Sequence, residues 1–150
     1  MTIIKPLRDA VYDLVDGIDV SEVLPGGWED KSKHPPKQIT YPAFWVEPLS
    51  NTTTTLDSAS NVSTFTFGIS ITESYEDSPI AEDTAIELAD LVYRQVLQAI
   101  ENGSPIQEVE GVLDVIPSGQ WAFDQRYPAR VYRIDVAIRV AEDRYQDLDP

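Results

Sequence analysis

Between Val62 and Thr72 the side chains alternate without a break. Ser63, Phe65, Phe67, Ile69 and Ile71 point one way, and Thr64, Thr66, Gly68, Ser70 and Thr72 the other. Successive side chains leave a strand in opposite directions, so a period of two over this length predicts a strand with one buried and one polar face. The apolar face needs a cover, and the next element supplies it. After the acidic turn Glu73–Asp77, Ser78-Pro79 has the form of an N-cap with proline at the first helical position. From there Ala85, Leu88, Ala89, Val92, Val96, Ala99 and Ile100 fall on one stripe, while Asp83, Asp90, Arg94 and Gln98 fall elsewhere. Asn102-Gly103 closes this helix and Pro105 prevents a restart. At about 1.5 Å per residue it reaches roughly 34 Å, enough to cross a sheet.

Around this pair the other elements can be placed. Ile3, Ile4, Leu7, Val11, Leu14 and Val15 have helical spacing, which predicts a short amphipathic helix stopped at Gly17. Residues 24–40, LPGGWEDKSKHPPKQIT, read as a loop because Pro25, Gly26, Gly27 and Pro35-Pro36 break regular structure. Tyr41–Pro48 (YPAFWVEP) is a proline-bracketed strand, expected at a sheet edge or starting at its first proline. Leu49–Asn61 (LSNTTTTLDSASN) reads as a flexible tip. Val109–Pro117 and Arg130–Ala141 read as two further strands, with SGQWAFDQRYPA as a turn-prone segment between them. The acidic tail, 142–150, is expected to fray. The order predicts one α+β domain over 1–150: a largely antiparallel four-stranded sheet packed against one long and one short helix, on the face fed by Phe65, Phe67, Val136 and Ile138.

Composition removes most catalytic chemistries. The chain has no cysteine and one histidine, His34, which excludes disulfides, thiolate nucleophiles and sites built on paired imidazoles. No Gly-x-Ser-x-Gly elbow, P-loop or dinucleotide fingerprint occurs, and a Pro/Lys loop is a poor support for a catalytic His34. No cofactor is expected. The carboxylates at 73, 76, 77, 82 and 83 cluster at one strand–helix junction; they suit a hard cation or simply a solvated acidic turn, and their spacing matches no EF-hand. A formal charge of −15 over 150 residues repels a polyphosphate backbone. Asp in excess over Glu, few lysines and many threonines suit either a halophilic host, whose brine screens repulsion within roughly 3 Å at 1 M salt, or an ordinary acidic protein. The start MTIIKPLRDA has no apolar signal core, and no stretch approaches a membrane span, so synthesis in the cytoplasm is expected.

Two groups of residues are candidates for partner contact. Lys31, Lys33 and Lys37 are three of only four lysines, and they sit together beside His34. They form either a solvated loop or a contact to an acidic neighbour, such as a second copy of the chain. Trp28, Trp121 and Tyr127 fall in predicted loops, where they either fold back over the core or anchor a partner.

Taken in order, the amino-terminal helix, YPAFWVEP, the Ser/Thr-rich tip, VSTFTFGISIT, the helix SPIAEDTAIELADLVYRQVLQAI and the closing strand DQRYPARVYRIDVAIRV resemble the tail terminator proteins of long-tailed bacteriophages and archaeal tailed viruses, over about residues 3–141. The acidic, Asp-rich composition is similar to that of haloarchaeal virus proteins. The resemblance implies a structural, non-enzymatic virion protein. It implies a hexameric ring that ends the tail tube, joins tail to neck, and lets genomic DNA pass its lumen without specific binding. Its partners would then be the tail tube protein and a neck or connector protein, with Thr53 and Thr54 of the Thr-rich tip reaching an adjacent ring or the tube. Another neck ring, such as a connector or stopper, is the alternative. A small ligand-binding or enzymatic α+β domain, or a cytoplasmic adaptor using its loop aromatics, is a further one.

Overall fold

The protein is described by a computed structural model that covers residues 3–55, 60–72, 79–124 and 129–143. Its elements are α1 (Ile4–Asp16), β1 (Asp30–Ser32), β2 (Ala43–Thr55), β3 (Ser60–Thr72), α2 (Pro79–Asn102), β4 (Val112–Asp124) and β5 (Ala129–Asp143). The strands form one sheet in the order β1-β2-β3-β5-β4, parallel only between β1 and β2. The α+β class and the two helices are as expected.

Both helices cover the same face of the sheet, α1 over β2 and β3, α2 beside it and against β4. That face carries Phe44, Val46, Phe65, Phe67, Ile69, Ile71, Val115, Ile134, Val136 and Ile138, all buried. Leu7, Ala10, Val11, Leu14 and Val15 come down from α1, and Leu88, Val92 and Val96 from α2. Each fully buried aliphatic or aromatic side chain stabilises by roughly 1.5–3 kcal/mol relative to exposure, so these rows dominate the fold. Ile4, on the predicted α1 stripe, is 40% exposed because it lies at the rim of the sheet.

The sheet has five strands rather than four. The additional one, β1, comes from the predicted loop: the backbone N–H groups of Glu29 and Asp30 donate to Pro42 O at 2.9 and 3.3 Å, and Asp30–Ser32 then pairs with Ala43–Trp45. Nothing in Asp-Lys-Ser favours a strand, so only the neighbouring edge makes it one. β2 begins directly after Pro42, whose bond to Tyr41 is cis.

The predicted tip is also corrected. β2 continues through Thr55 and β3 starts at Ser60, so most of the Thr-rich stretch is strand. Threonine is β-branched and fits a pleated surface, and the Thr53 and Ser63 hydroxyls hydrogen-bond across the pair at 3.0 Å. A bulge between Pro48 and Ser50 shifts the register there. β4 likewise starts later and ends later than Val109–Pro117, running to Asp124 through residues expected to turn.

The second face of β3 is not uniformly polar and wet. Ser70 and Thr72 are buried there, beside a second cluster in which Trp45 and Val131 pack with Ile39. Toward the β2–β3 hairpin the same face opens to solvent.

Candidate functional site

The basic segment is spent largely inside the subunit. Lys31 Nζ donates to Asp16 Oδ1 at 2.8 Å, and Lys33 Nζ lies 3.5 Å from Asp9 Oδ1 and 5.3 Å from the centre of the Tyr12 ring. Asp9 also accepts from the Arg8 guanidinium at 3.1 Å. Partial burial pushes the Asp9 carboxyl up, but the hydrogen bond from Arg8 and the Lys33 charge outweigh it and hold it below the usual carboxylate range. The hydrogen bond to Asp16 raises Lys31 above the ordinary lysine value. These pairs clip β1 and its following turn onto α1. Lys37 is exposed and has no ion pair among the described residues.

Trp28 folds back on the core: its ring meets Phe44 edge-on with centroids 4.9 Å apart, and its buried Nε1 has no acceptor among the described residues. Trp121 lies in β4 opposite Tyr132 rather than in a loop. Thr53 is exposed and bonded to Ser63, and Thr54 sits opposite Val62. Tyr127, the predicted acidic turn Glu73–Asp77 and the predicted N-cap Ser78 lie outside the described residues, and the side chains of 79–82 likewise. Among the described residues no three His, Asp or Glu side chains converge to hold a metal. No described helix is long and apolar enough to cross a membrane.

The sequence reading missed what lies along the two borders of the sheet. β1 pairs with β2 only at Ala43–Trp45, and among the described residues no strand pairs with the outer side of β2 from Pro48 to Thr55 or with the outer side of β4. The large apolar side chains left exposed lie along these borders and on α2. Leu49 (38%) belongs to β2, and Ile4 (40%) lies beside it at the border groove. Leu113 (52%) and Ile116 (60%) belong to β4, and Ile86 and Leu97 to the helix on that side. A shallow groove of about 230 Å³ opens at the β2 border, lined by Ile4, Pro48, Leu49, Ser50, Asn51, Phe65 and Phe67. Its described lining is apolar and uncharged, with Ser50 and Asn51 as the polar members.

Charge is distributed to match. From Pro48 to Leu56 the chain carries no charged residue. From Gly111 to Ser118 it carries only Asp114, whose Oδ2 meets the Arg139 guanidinium at 3.0 Å. The two borders are thus the quiet strips of a strongly acidic molecule. The prolines at 42 and 48 predicted an edge position for β2, but alternation along a strand reveals only its faces and not its place in the sheet, so nothing in the sequence marked β4 as the other border.

No family model matches the chain, and no curated protein matches it. Among solved structures it is similar to a chain from the "Virion of native gene transfer agent (GTA) particle", at 13% identity and a TM-score of 0.50, over 95% of this chain and 98% of that one. At that identity the likeness is one of fold.

Proposed function

We propose that this protein is a structural component of a tailed, phage-like virion, a tail-terminator-type subunit that closes into a ring on the end of the tail tube and joins it to the neck. The observation that carries the reading is the fold likeness to a virion chain over nearly the whole length of both. The two open sheet borders support it, because a ring needs two different side surfaces on each subunit. The expected ring is hexameric. Its partners are further copies of the chain, the tail tube protein and a neck protein, and it acts in the virion after synthesis in the host cytoplasm.

The test is to polymerise tail tubes with and without the purified protein and to weigh the protein by light scattering in low and molar salt. A ring-sized particle that caps tubes at one end and halts their growth is the expected result. A protein that leaves tube growth unchanged and binds portal-filled heads instead is a different neck component.

A further inference from the structure

The geometry points to a head-to-tail contact in which the β2 border of one copy, Ser50–Thr54, adds to the β4 border of the next, Val112–Ile116, so that one sheet continues from subunit to subunit. This rests on the ring reading and specifies the surface that closes the ring.

Direction comes first. With β2 running up, β3 runs down, β5 up and β4 down. Copies related by rotation about an axis along the strands therefore bring an upward β2 beside a downward β4. The new pair is antiparallel, the same pattern as the three long pairs within the subunit.

Register is the second argument. Ser50, Thr66, Ala137 and Ile116 are successive partners across the four long strands, so they lie in one row. Pro48, Phe67, Val136 and Pro117 form the next row. Each border thus carries one proline, at the same height as the other. A proline has no N–H to offer an added strand. Meeting at one height, the two prolines cost the pairing a single position and leave Ser50–Thr54 free to meet Val112–Ile116.

Charge and apolar surface give the third. A copy of a chain with charge −15 is repelled almost everywhere, but these two strips hold between them one acid, already engaged by Arg139. Across the junction Leu49 meets the neighbour's Ile116 and Leu113, which removes three exposed apolar side chains from water. Long unpaired edges invite strand addition and are normally blunted by charge. Here that guard is missing where the partner would sit.

The chain lacks cysteine, so cross-linking has a clean background. Ser50→Cys with Ile116→Cys, and Thr52→Cys with Ile116→Cys to cover a two-residue shift, are oxidised in molar salt and resolved on a denaturing gel. Each single-cysteine variant is treated in parallel, and particle mass is measured before oxidation. The expected result is a covalent ladder from one of the pairs and none from the single variants. In addition, Ile116→Lys is expected to keep its circular dichroism and fall to subunit mass. A ring-sized particle without a ladder from either pair overturns this interface and leaves the ring reading standing. So do disulfide dimers from a single variant, which require like borders to meet. A protein of subunit mass at every salt concentration overturns both.

Discussion

At Gly111 the backbone sits at φ +92°, just before β4 begins, and its carbonyl accepts from Ala141 N at 2.9 Å. A Cβ there would lie 2.9 Å from the Ala141 carbonyl oxygen, which belongs to the backbone and cannot swing away. Both the left-handed conformation and the contact oppose any other residue, so Gly111→Ala is expected to destabilise by about 1–3 kcal/mol in urea unfolding. Gly119 is a different case, with the Tyr132 ring lying across the space where its Cβ would go. Electrostatics at this scale centres on Asp9. Its carboxyl is held below its unfolded value by Arg8 and Lys33, so the unfolded chain takes up the proton first as pH falls. The stabilisation is therefore complete above the ordinary aspartate range, near 3.8, and is lost as pH drops through the lower folded value. Urea midpoints measured from pH 5 to pH 3 are expected to fall more steeply for the native chain than for Asp9→Asn. The Lys31 pair with Asp16 is exposed on both sides, and such pairs contribute roughly 0–1 kcal/mol.

Elements differ in how openly they announce themselves. α2 was legible because Leu88, Val92 and Val96 repeat at helical spacing and all three are buried. Leu88→Ala is expected to cost about 2–5 kcal/mol in denaturant unfolding, as for other large-to-small core changes. Leu97, 41% exposed on the same helix, is expected to change stability by no more than about 0.5 kcal/mol on substitution by alanine. β3 and β5 were legible for the matching reason, a clean period of two. The Thr-rich half of β2 was not, because low complexity reads as a tip until a partner strand appears. Its hydrogen bonding comes from β3, and the Thr53–Ser63 pair exists only across that register. β1 is the extreme case, three polar residues given strand geometry by an edge thirteen residues away and fastened by lysines to carboxylates of α1. Trp28 belongs to the same loop, and its ring packs edge-on against Phe44.

For the molecule as a whole, a charge of −15 sets the terms of both stability and assembly. Salt shortens the screening length from about 10 Å at 0.1 M to about 3 Å at 1 M, which relieves repulsion within the subunit and between copies. Thermal midpoints and particle mass are both expected to rise between those concentrations; a mass that falls would mean that ion pairs, not apolar strips, join the subunits. The amino-acid sequence by itself determined the class of fold, the two helices, the buried face of the central strands and the exclusion of most catalytic chemistry. Those follow from periodicity and residue type, which act within a few residues along the chain. Only the tertiary structure decided that the sheet has a fifth strand, that the threonines extend a hairpin, that two lysines pair with carboxylates of α1, and that the uncharged apolar strips lie on opposite borders at one height. Edges and rows are relations between distant segments, and the hydrogen bonds that define them have no counterpart in local sequence.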